Sequence, residues 1–225
     1  MSHGHKSEFL AHHFEDLEQQ KESAALGMWL FLCTEVLFFG GLFCCYAYYK
    51  YRFFDAFISG SHHLDIKLGL LNTAVLITSS LTMALAVHAA QKGARGRTSL
   101  MLLLTIALAG VFLVVKYFEW STKFHHGIIP GHNFQFPAED LYGGATVKTV
   151  EIFYSLYYCM SGLHGIHVIL GIVVIGWLWW INQKGRITPE YNVPVEMVGL
   201  YWHFVDIIWI FLFPLLYLLG LHVHG

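Results

Sequence analysis

The feature that most limits how this chain can fold is a series of five long apolar stretches, separated by polar connections. They cover approximately residues 24–49, 68–90, 100–120, 150–181 and 195–221. About 20 mainly apolar residues are enough for a helix to cross the hydrocarbon core of a bilayer. Each stretch is continuous, whereas a membrane β-barrel shows alternating segments of about ten residues. The sequence therefore predicts an all-α integral membrane bundle of five transmembrane helices, forming a single domain over residues 1–225.

The composition excludes an ordinary water-soluble domain. Hydrophobic residues make up 56% of the chain and charged residues only 12%, and the mean hydropathy is +0.54. A soluble domain carries about 25% charged residues. The net charge of -2 is too small to indicate a nucleic-acid partner.

The first 23 residues are polar and of mixed charge. They predict a water-exposed arm, which can lie as an amphipathic helix on the membrane surface. The segment does not read as a signal peptide, because the apolar run that follows is too long for the core of one.

Lysine and arginine indicate the orientation of the helices, because these residues are more frequent on the cytoplasmic side. One side of the predicted bundle holds Lys6, Lys21, Lys92, Arg95, Arg97, Lys184 and Arg186. The other side holds Lys50, Arg52, Lys67, Lys123 and Lys148. Three cations of the first group crowd the very short connection 91–99. The distribution predicts an N-terminus inside and a C-terminus outside.

Ionisable side chains inside the apolar stretches point to function, because they are costly in hydrocarbon and persist where they face protein or water. Glu35 lies roughly 16 Å from the inner end of the first helix, and Asp206 lies at a similar depth in the fifth. Helical spacing places His164, His167 and His203 near the same level. We expect these five side chains to form a polar layer near the midplane, in which carboxyls share protons with imidazoles. The alternative is a polar network that only holds helices together.

Other polar residues in the helices are expected to hold the helices together. Lys116 and Glu119, three residues apart near the outer end of the third helix, are expected to form an ion pair. Asn72 belongs to the segment LNTAVLITSSLTM, whose small polar residues suit interhelical hydrogen bonds. All four cysteines fall within apolar stretches and are expected to be buried free thiols: Cys33, Cys44, Cys45 and Cys159.

The fifteen histidines raise the question of haem or metal binding. The candidates within the helices are His88, His164, His167 and His203. No helix carries two histidines about fourteen residues apart, and the three near the midplane suit bonds to carboxyls better. We therefore expect no metal or haem bound by this chain, with a haem-binding membrane anchor as the alternative.

Five segments resemble subunit III of the haem–copper cytochrome c oxidases, and together they span nearly the full chain. They are WLFLCTEVLFFGGLF, LNTAVLITSSLTMALAVHA, VKYFEW, FYSLYYCMSGLHGIHVILG and VEMVGLYWHFVDIIWIFLF, one in each predicted helix. The last is the most specific. Their order is similar to that of the short bacterial form with five helices.

The resemblance implies a non-catalytic subunit in the bacterial inner (plasma) membrane. Members of the family pack on the catalytic subunit I beside the other oxidase subunits, bind phospholipid between groups of helices and support proton uptake. Haem and copper lie in partner subunits, where electrons from cytochrome c reduce oxygen to water and protons are pumped. The chain itself is then expected to have no redox centre.

The resemblance also assigns residues. Glu35 matches the family's intramembrane carboxyl that reacts with dicyclohexylcarbodiimide, and His164, His167, His203 and Asp206 match other characteristic polar positions. Further polar positions that match are Glu196, Glu119, Lys116, His88 and Asn72.

Departures from the family leave alternatives. The segment TPEYNVPVE lacks a histidine pair of longer members, which puts headgroup contacts there in doubt, and without two further helices the lipid cleft is incomplete. TEVLFF and YWHFVD favour the cytochrome c branch over the related subunit of quinol oxidases. A stand-alone proton-coupled membrane carrier is the third hypothesis, which the short length and the lack of an internal repeat disfavour.

Overall fold

The computed structural model describes residues 14–132 and 134–220. Within these residues the chain forms helices and no strands. The helices are α1 (Leu17–Arg52), α2 (Phe54–His62), α3 (Ile66–Gln91), α4 (Arg95–His125), α5 (Val147–Gln183) and α6 (Val193–Tyr217), with a short 3-10 helix at Ala138–Asp140. All except α2 are long and apolar enough to cross a membrane. The predicted all-α architecture is thereby confirmed, with five helices that are candidates to span a membrane.

The spanning helices extend beyond the apolar stretches that revealed them. α1 begins at Leu17 instead of at 24, and the side chain of its N-cap Asp16 accepts a hydrogen bond from the Gln19 amide at 2.7 Å. This corrects the expected boundary of the polar arm, since residues 17–23 form the first turns of α1. A polar cap and helix-forming side chains continue a helix in water as well as in lipid. The expected arm before Phe14 lies outside the described residues.

The connection 50–67 contains α2, a helix that the sequence did not indicate. α2 lies beneath the long loop between α4 and α5 and binds it through two side chains. The carboxylate of Asp55 accepts a hydrogen bond from the Gly144 amide at 3.0 Å, and the Ser59 hydroxyl accepts one from the Tyr142 amide at 2.8 Å. Gly143 has a φ of +57°, and a Cβ there would lie 2.6 Å from the Asp55 carboxylate. Only glycine fits this turn.

Four of the long helices form a closed bundle, in which α3 and α5 each contact both α4 and α6. α1 lies outside this bundle, against α5 and α6. Its buried residues are Leu32, Phe39 and Tyr46, at intervals of seven residues. The Tyr46 hydroxyl donates a hydrogen bond to the backbone carbonyl of Leu215 in α6. A single narrow seam therefore attaches α1 to the other helices.

The four cysteines are exposed on the surface of the chain, which corrects the expectation of buried thiols. Cys33, Cys44 and Cys45 lie on α1 away from its seam, and Cys159 lies on the outer side of α5. An apolar sequence environment did not imply burial, because a membrane helix also places apolar residues on its outer surface.

Small polar residues of α3 bind tryptophans of α6, as the run of serines and threonines predicted. The Trp202 indole donates a hydrogen bond to Ser79 Oγ at 3.1 Å, and the Trp209 indole donates one to Thr73 Oγ1 at 3.1 Å. Gly171 of α5 leaves room for the Trp202 indole, because a Cβ at this position would lie 2.5 Å from the ring. The bundle core is thus closely packed around large aromatic side chains.

Candidate functional site

Glu35 of α1 and His167 of α5 form a direct pair, with Glu35 Oε2 lying 3.0 Å from His167 Nε2. The other ring nitrogen, His167 Nδ1, lies 2.7 Å from the backbone carbonyl of Leu163. A carbonyl oxygen only accepts, so Nδ1 carries a proton. One further proton then lies between Nε2 and Oε2, either on the carboxyl or on the imidazole. In both forms the pair is neutral overall and holds one shared proton.

The pair is held where α1 crosses α5 and α6. The ring of Phe39, from the buried seam of α1, meets the His167 ring edge-on at a centroid distance of 5.1 Å. The Tyr201 hydroxyl of α6 donates a hydrogen bond to the His167 backbone carbonyl at 2.9 Å. The side chains of Glu35 and His167 nevertheless remain 18% and 14% exposed. The site therefore lies at the edge of the bundle, not at its centre.

A second polar group lies between α3 and α6. His203 Nδ1 is 2.7 Å from the Ser80 hydroxyl. Asp206, one turn along α6, is only 3% exposed, and neither carboxyl oxygen has a hydrogen-bond partner among the described residues. His203 is thus bonded to α3, and neither His203 nor Asp206 has a hydrogen bond to Glu35.

His164 is separate from both groups. It is fully buried, and neither ring nitrogen finds a hydrogen-bond partner in residues 14–132 and 134–220. Its neighbours are Phe112 of α4, at a ring-centroid distance of 5.5 Å, and Trp209 of α6, at 5.3 Å. The five side chains expected in one polar layer are consequently distributed over three places in the structure.

The expected ion pair between Lys116 and Glu119 is present, with Lys116 Nζ 3.1 Å from Glu119 Oε2. It belongs to a larger cluster that joins α4, α5 and α6. Lys123 Nζ lies 3.7 Å from Glu119 Oε1, and the hydroxyls of Tyr157 and Tyr217 each donate a hydrogen bond to Glu119 at 2.7 Å. The Glu119 carboxylate therefore forms ion pairs with two ammonium groups and accepts hydrogen bonds from two phenol hydroxyls. We call these five residues the Glu119 cluster.

Sequence reasoning missed three members of the Glu119 cluster. Lys123 lies four residues after Glu119 on the same helix face, so its spacing could have revealed it. Tyr157 and Tyr217 lie on other helices, and no local pattern connects them with Glu119. The cluster is buried near the α2 end of the bundle, with Lys116, Glu119 and Lys123 at 7%, 3% and 7% exposure.

The remaining polar positions lie apart from the Glu35 site. Glu196, at the start of α6, accepts a hydrogen bond from Gln91 Nε2 at 2.8 Å and lies 3.8 Å from Lys21 Nζ. His88 is exposed on α3. Asn72 is fully buried, yet its amide group has no hydrogen-bond partner among the described residues, unlike the neighbouring serines and threonines.

Among the described residues, no group of three or more histidine, cysteine, aspartate or glutamate side chains is arranged to hold a metal ion. The four histidines considered for haem have the different surroundings given above, and no two of them face each other across helices in a hydrogen-bonded or ring contact.

Comparison with known proteins identifies relatives over most of the chain. The family model for cytochrome c oxidase subunit III matches residues 5–128 and 138–221. Cytochrome c oxidase subunit 3 of Yarrowia lipolytica is 32% identical over 208 residues, covering 87% of this chain and 67% of that protein. Cytochrome bo(3) ubiquinol oxidase subunit 3 of Pseudomonas aeruginosa is 29% identical over 216 residues, covering 94% of this chain and 92% of that protein.

A third relative combines two units in one polypeptide. The heme-copper oxidase subunit I+III of Aeropyrum pernix is 30% identical over 204 residues, which cover 88% of this chain and 23% of that protein. The chain belongs to the cytochrome c oxidase subunit III family.

Proposed function

We propose that this chain is the non-catalytic subunit III of a respiratory haem–copper oxidase, with several spans in the bacterial plasma membrane. The observation that carries the proposal is the family match over residues 5–128 and 138–221. The chain packs on the catalytic subunit I, which holds haem and copper and carries out oxygen reduction and proton pumping. The Aeropyrum pernix relative supports this partner, because its name assigns units I and III to one polypeptide.

In the proposed orientation the N-terminus is inside and the C-terminus outside. The structure strengthens the charge argument for it, because Lys123, counted on the outer side, is buried in the Glu119 cluster and is no free loop cation. The exposed cations Arg95, Arg97 and Lys184 remain at the opposite end. An excess of exposed lysine and arginine there favours the cytoplasmic side.

Phospholipid is the proposed small-molecule ligand. A groove of about 650 Å³ opens where α5 turns into α6, and Trp177, Lys184 and Arg186 are among its lining residues. The cations can bind a phosphate headgroup, and the exposed indole suits the interface between headgroups and acyl chains. Lys184 and Arg186 offer headgroup contacts just before the segment TPEYNVPVE, which lacks the histidine pair of longer members.

The Glu35–His167 pair is proposed to support proton uptake by the catalytic subunit. It holds a shared proton at mid-bilayer depth, where water is scarce and a positioned acid is valuable to a neighbouring channel. The 3.0 Å contact between Glu35 Oε2 and His167 Nε2 supports this role. Cytochrome c is the proposed electron donor of the complex, and the Pseudomonas aeruginosa relative favours ubiquinol as the second candidate.

Native mass spectrometry of the gently solubilised complex tests the assignment. We expect this chain to leave the membrane together with a haem- and copper-bearing partner. Assays of the same complex with cytochrome c and with a quinol then identify the electron donor. A chain that purifies alone and carries out proton-coupled transport by itself contradicts the proposal.

Replacing Glu35 with glutamine tests the role of the pair. The amide keeps the shape of the side chain but cannot share a proton with His167. We expect normal assembly and an unchanged haem spectrum, with slower steady proton uptake or a several-fold shorter working life during turnover. The matched control is Glu190→Gln, because Glu190 is exposed in the α5–α6 connection. If both variants match the wild type in uptake and lifetime, Glu35 serves packing only.

A further inference from the structure

We propose that the groove between α5 and α6 selects an anionic phospholipid, and that the headgroup phosphate contacts the start of α4 as well as the connection that follows α5. The inference rests on the proposed function, because it refines the phospholipid site described there. It specifies the charge class of the lipid and adds Arg95 to the residues that bind it.

Three cationic side chains converge at this groove from two parts of the chain. Lys184 and Arg186 line the groove, in the connection that follows α5. Gly185 between them has a φ of +73°, and a Cβ there would lie 3.3 Å from Arg95 Nη1. The Arg95 guanidinium at the start of α4 therefore lies close to the backbone between Lys184 and Arg186.

Hydrogen bonds join these two parts of the chain, so the cations hold their relative positions. Asn182, near the end of α5, is 1% exposed. Its Nδ2 donates hydrogen bonds to the Arg95 backbone carbonyl at 3.0 Å and to Ser99 Oγ at 2.8 Å. Lys184 Nζ lies 3.4 Å from the centre of the Trp180 ring. A cation–π contact positions an ammonium group without neutralising its charge.

The three cations have no carboxylate partner. None of Arg95, Lys184 and Arg186 forms an ion pair in the part of the chain that the structure describes. Glu190, an acid in the same connection, lines a different groove beside the start of α1. The C-terminus of α5 contributes only about half a negative charge. Three positive charges beside this half charge favour an anionic ligand.

An anionic lipid fits both ends of the groove. Trp177 lies seven residues before Lys184, about 10 Å deeper along α5, and is 52% exposed, so acyl chains can lie against its ring. Basic pockets between spanning helices on the cytoplasmic side bind anionic headgroups. The three cations repel the ammonium of a zwitterionic headgroup, whereas phosphatidylglycerol has a net negative charge and no ammonium.

Competition between lipids in the purified oxidase complex tests the selectivity. The complex is placed in bilayer nanodiscs of phosphatidylcholine with a small fraction of phosphatidylglycerol. Native mass spectrometry then measures which lipids stay bound to this chain. We expect phosphatidylglycerol to be enriched about tenfold over its share of the bilayer. Bound lipid with the same composition as the bilayer overturns the proposal.

Arg95→Gln tests the contact with α4, and Arg97→Gln is its matched control. Both arginines are exposed, but they lie about 200° apart around the helix. Arg95 is the one close to Gly185. We expect Arg95→Gln to reduce the retention of phosphatidylglycerol about fivefold and Arg97→Gln to leave it unchanged. Equal retention by the two variants refutes the contact with α4.

The double variant Lys184→Gln, Arg186→Gln is expected to reduce the retention of phosphatidylglycerol more than about tenfold. Its control, Lys67→Gln with Lys148→Gln, removes two exposed lysines at the opposite end of the bundle and should leave retention unchanged. Inorganic phosphate distinguishes a lipid from a free anion. We expect millimolar phosphate to leave phosphatidylglycerol bound, and its displacement would assign the groove to free phosphate.

Failure of this inference is distinguishable from failure of the proposed function. A haem- and copper-bearing complex that assembles but shows no preference for phosphatidylglycerol refutes the anionic selectivity alone. Phosphatidylcholine that binds equally well and is lost in the double variant retains the phospholipid site and removes its charge class. A chain that purifies without haem- and copper-bearing partners refutes the proposed function, whichever lipid it retains.

Discussion

Replacing Glu119 with glutamine is expected to lower the free energy of unfolding by about 3–5 kcal/mol, the usual cost of removing one partner from a buried ion pair. Glu119 is the carboxylate nearest to Lys116 and Lys123, whose Nζ atoms lie 3.1 and 3.7 Å from its oxygens. All three side chains are at most 7% exposed. Without the carboxylate, two ammonium groups remain in a low-dielectric site. Thermal unfolding of the purified complex, or detergent titration of the chain, measures the loss.

Two further variants make this result specific. Glu190→Gln removes an exposed carboxylate and is expected to change stability by less than about 0.5 kcal/mol. Adding Lys116→Met to Glu119→Gln removes one uncompensated charge and is expected to restore part of the lost stability. A Glu119→Gln protein as stable as Glu190→Gln would show that the Glu119 cluster does not hold α4, α5 and α6 together.

The second large effect is expected from Gly171→Ala, which should destabilise the bundle by about 1–3 kcal/mol. A Cβ at this glycine would lie 2.5 and 2.8 Å from two carbons of the Trp202 ring. Trp202 is fully buried and is fixed by its hydrogen bond to Ser79, so the ring has no free space into which to move. α5 and α6 would have to separate. The midpoint of thermal or detergent unfolding measures the change.

Gly176→Ala is the matched control on the same helix, because nothing lies within 4 Å of a Cβ built at Gly176. Alanine also has the better helix propensity, so this variant is expected to be neutral or slightly stabilising. Equal behaviour of the two alanine variants would contradict the close approach of α5 and α6 at Gly171.

The number of spanning helices could be predicted from sequence, but their ends could not. A continuous apolar run of about 20 residues is long enough to cross a bilayer as a helix, so five spanning helices could be recognised. α1 starts at Leu17 and α4 at Arg95, inside segments that looked like an arm and a turn. Polar residues with good helix propensity prolong a helix into water, and hydropathy does not register that continuation. α2 was missed because it is buried against α5 and against a loop, both more than eighty residues away in the sequence.

Pairs close in sequence were easier to predict than pairs between helices. Lys116 and Glu119 meet because a helix places residues three apart on one face. Glu35 and His167 meet because α1 packs against α5, and a depth estimate gives the height of a residue but not the direction in which it points. His164 has nearly the same depth as His167, yet it faces Trp209 in the bundle core. One turn of α5 separates a paired histidine from an unpaired one.

The narrow seam of α1 has a consequence for biosynthesis. α1 leaves the ribosome before α5 and α6, the two helices that it packs against. Glu35 and His167 are 132 positions apart, so α1 is synthesised well before the helix that completes the pair. Formation of the proton-sharing pair is then a late event in the maturation of the subunit.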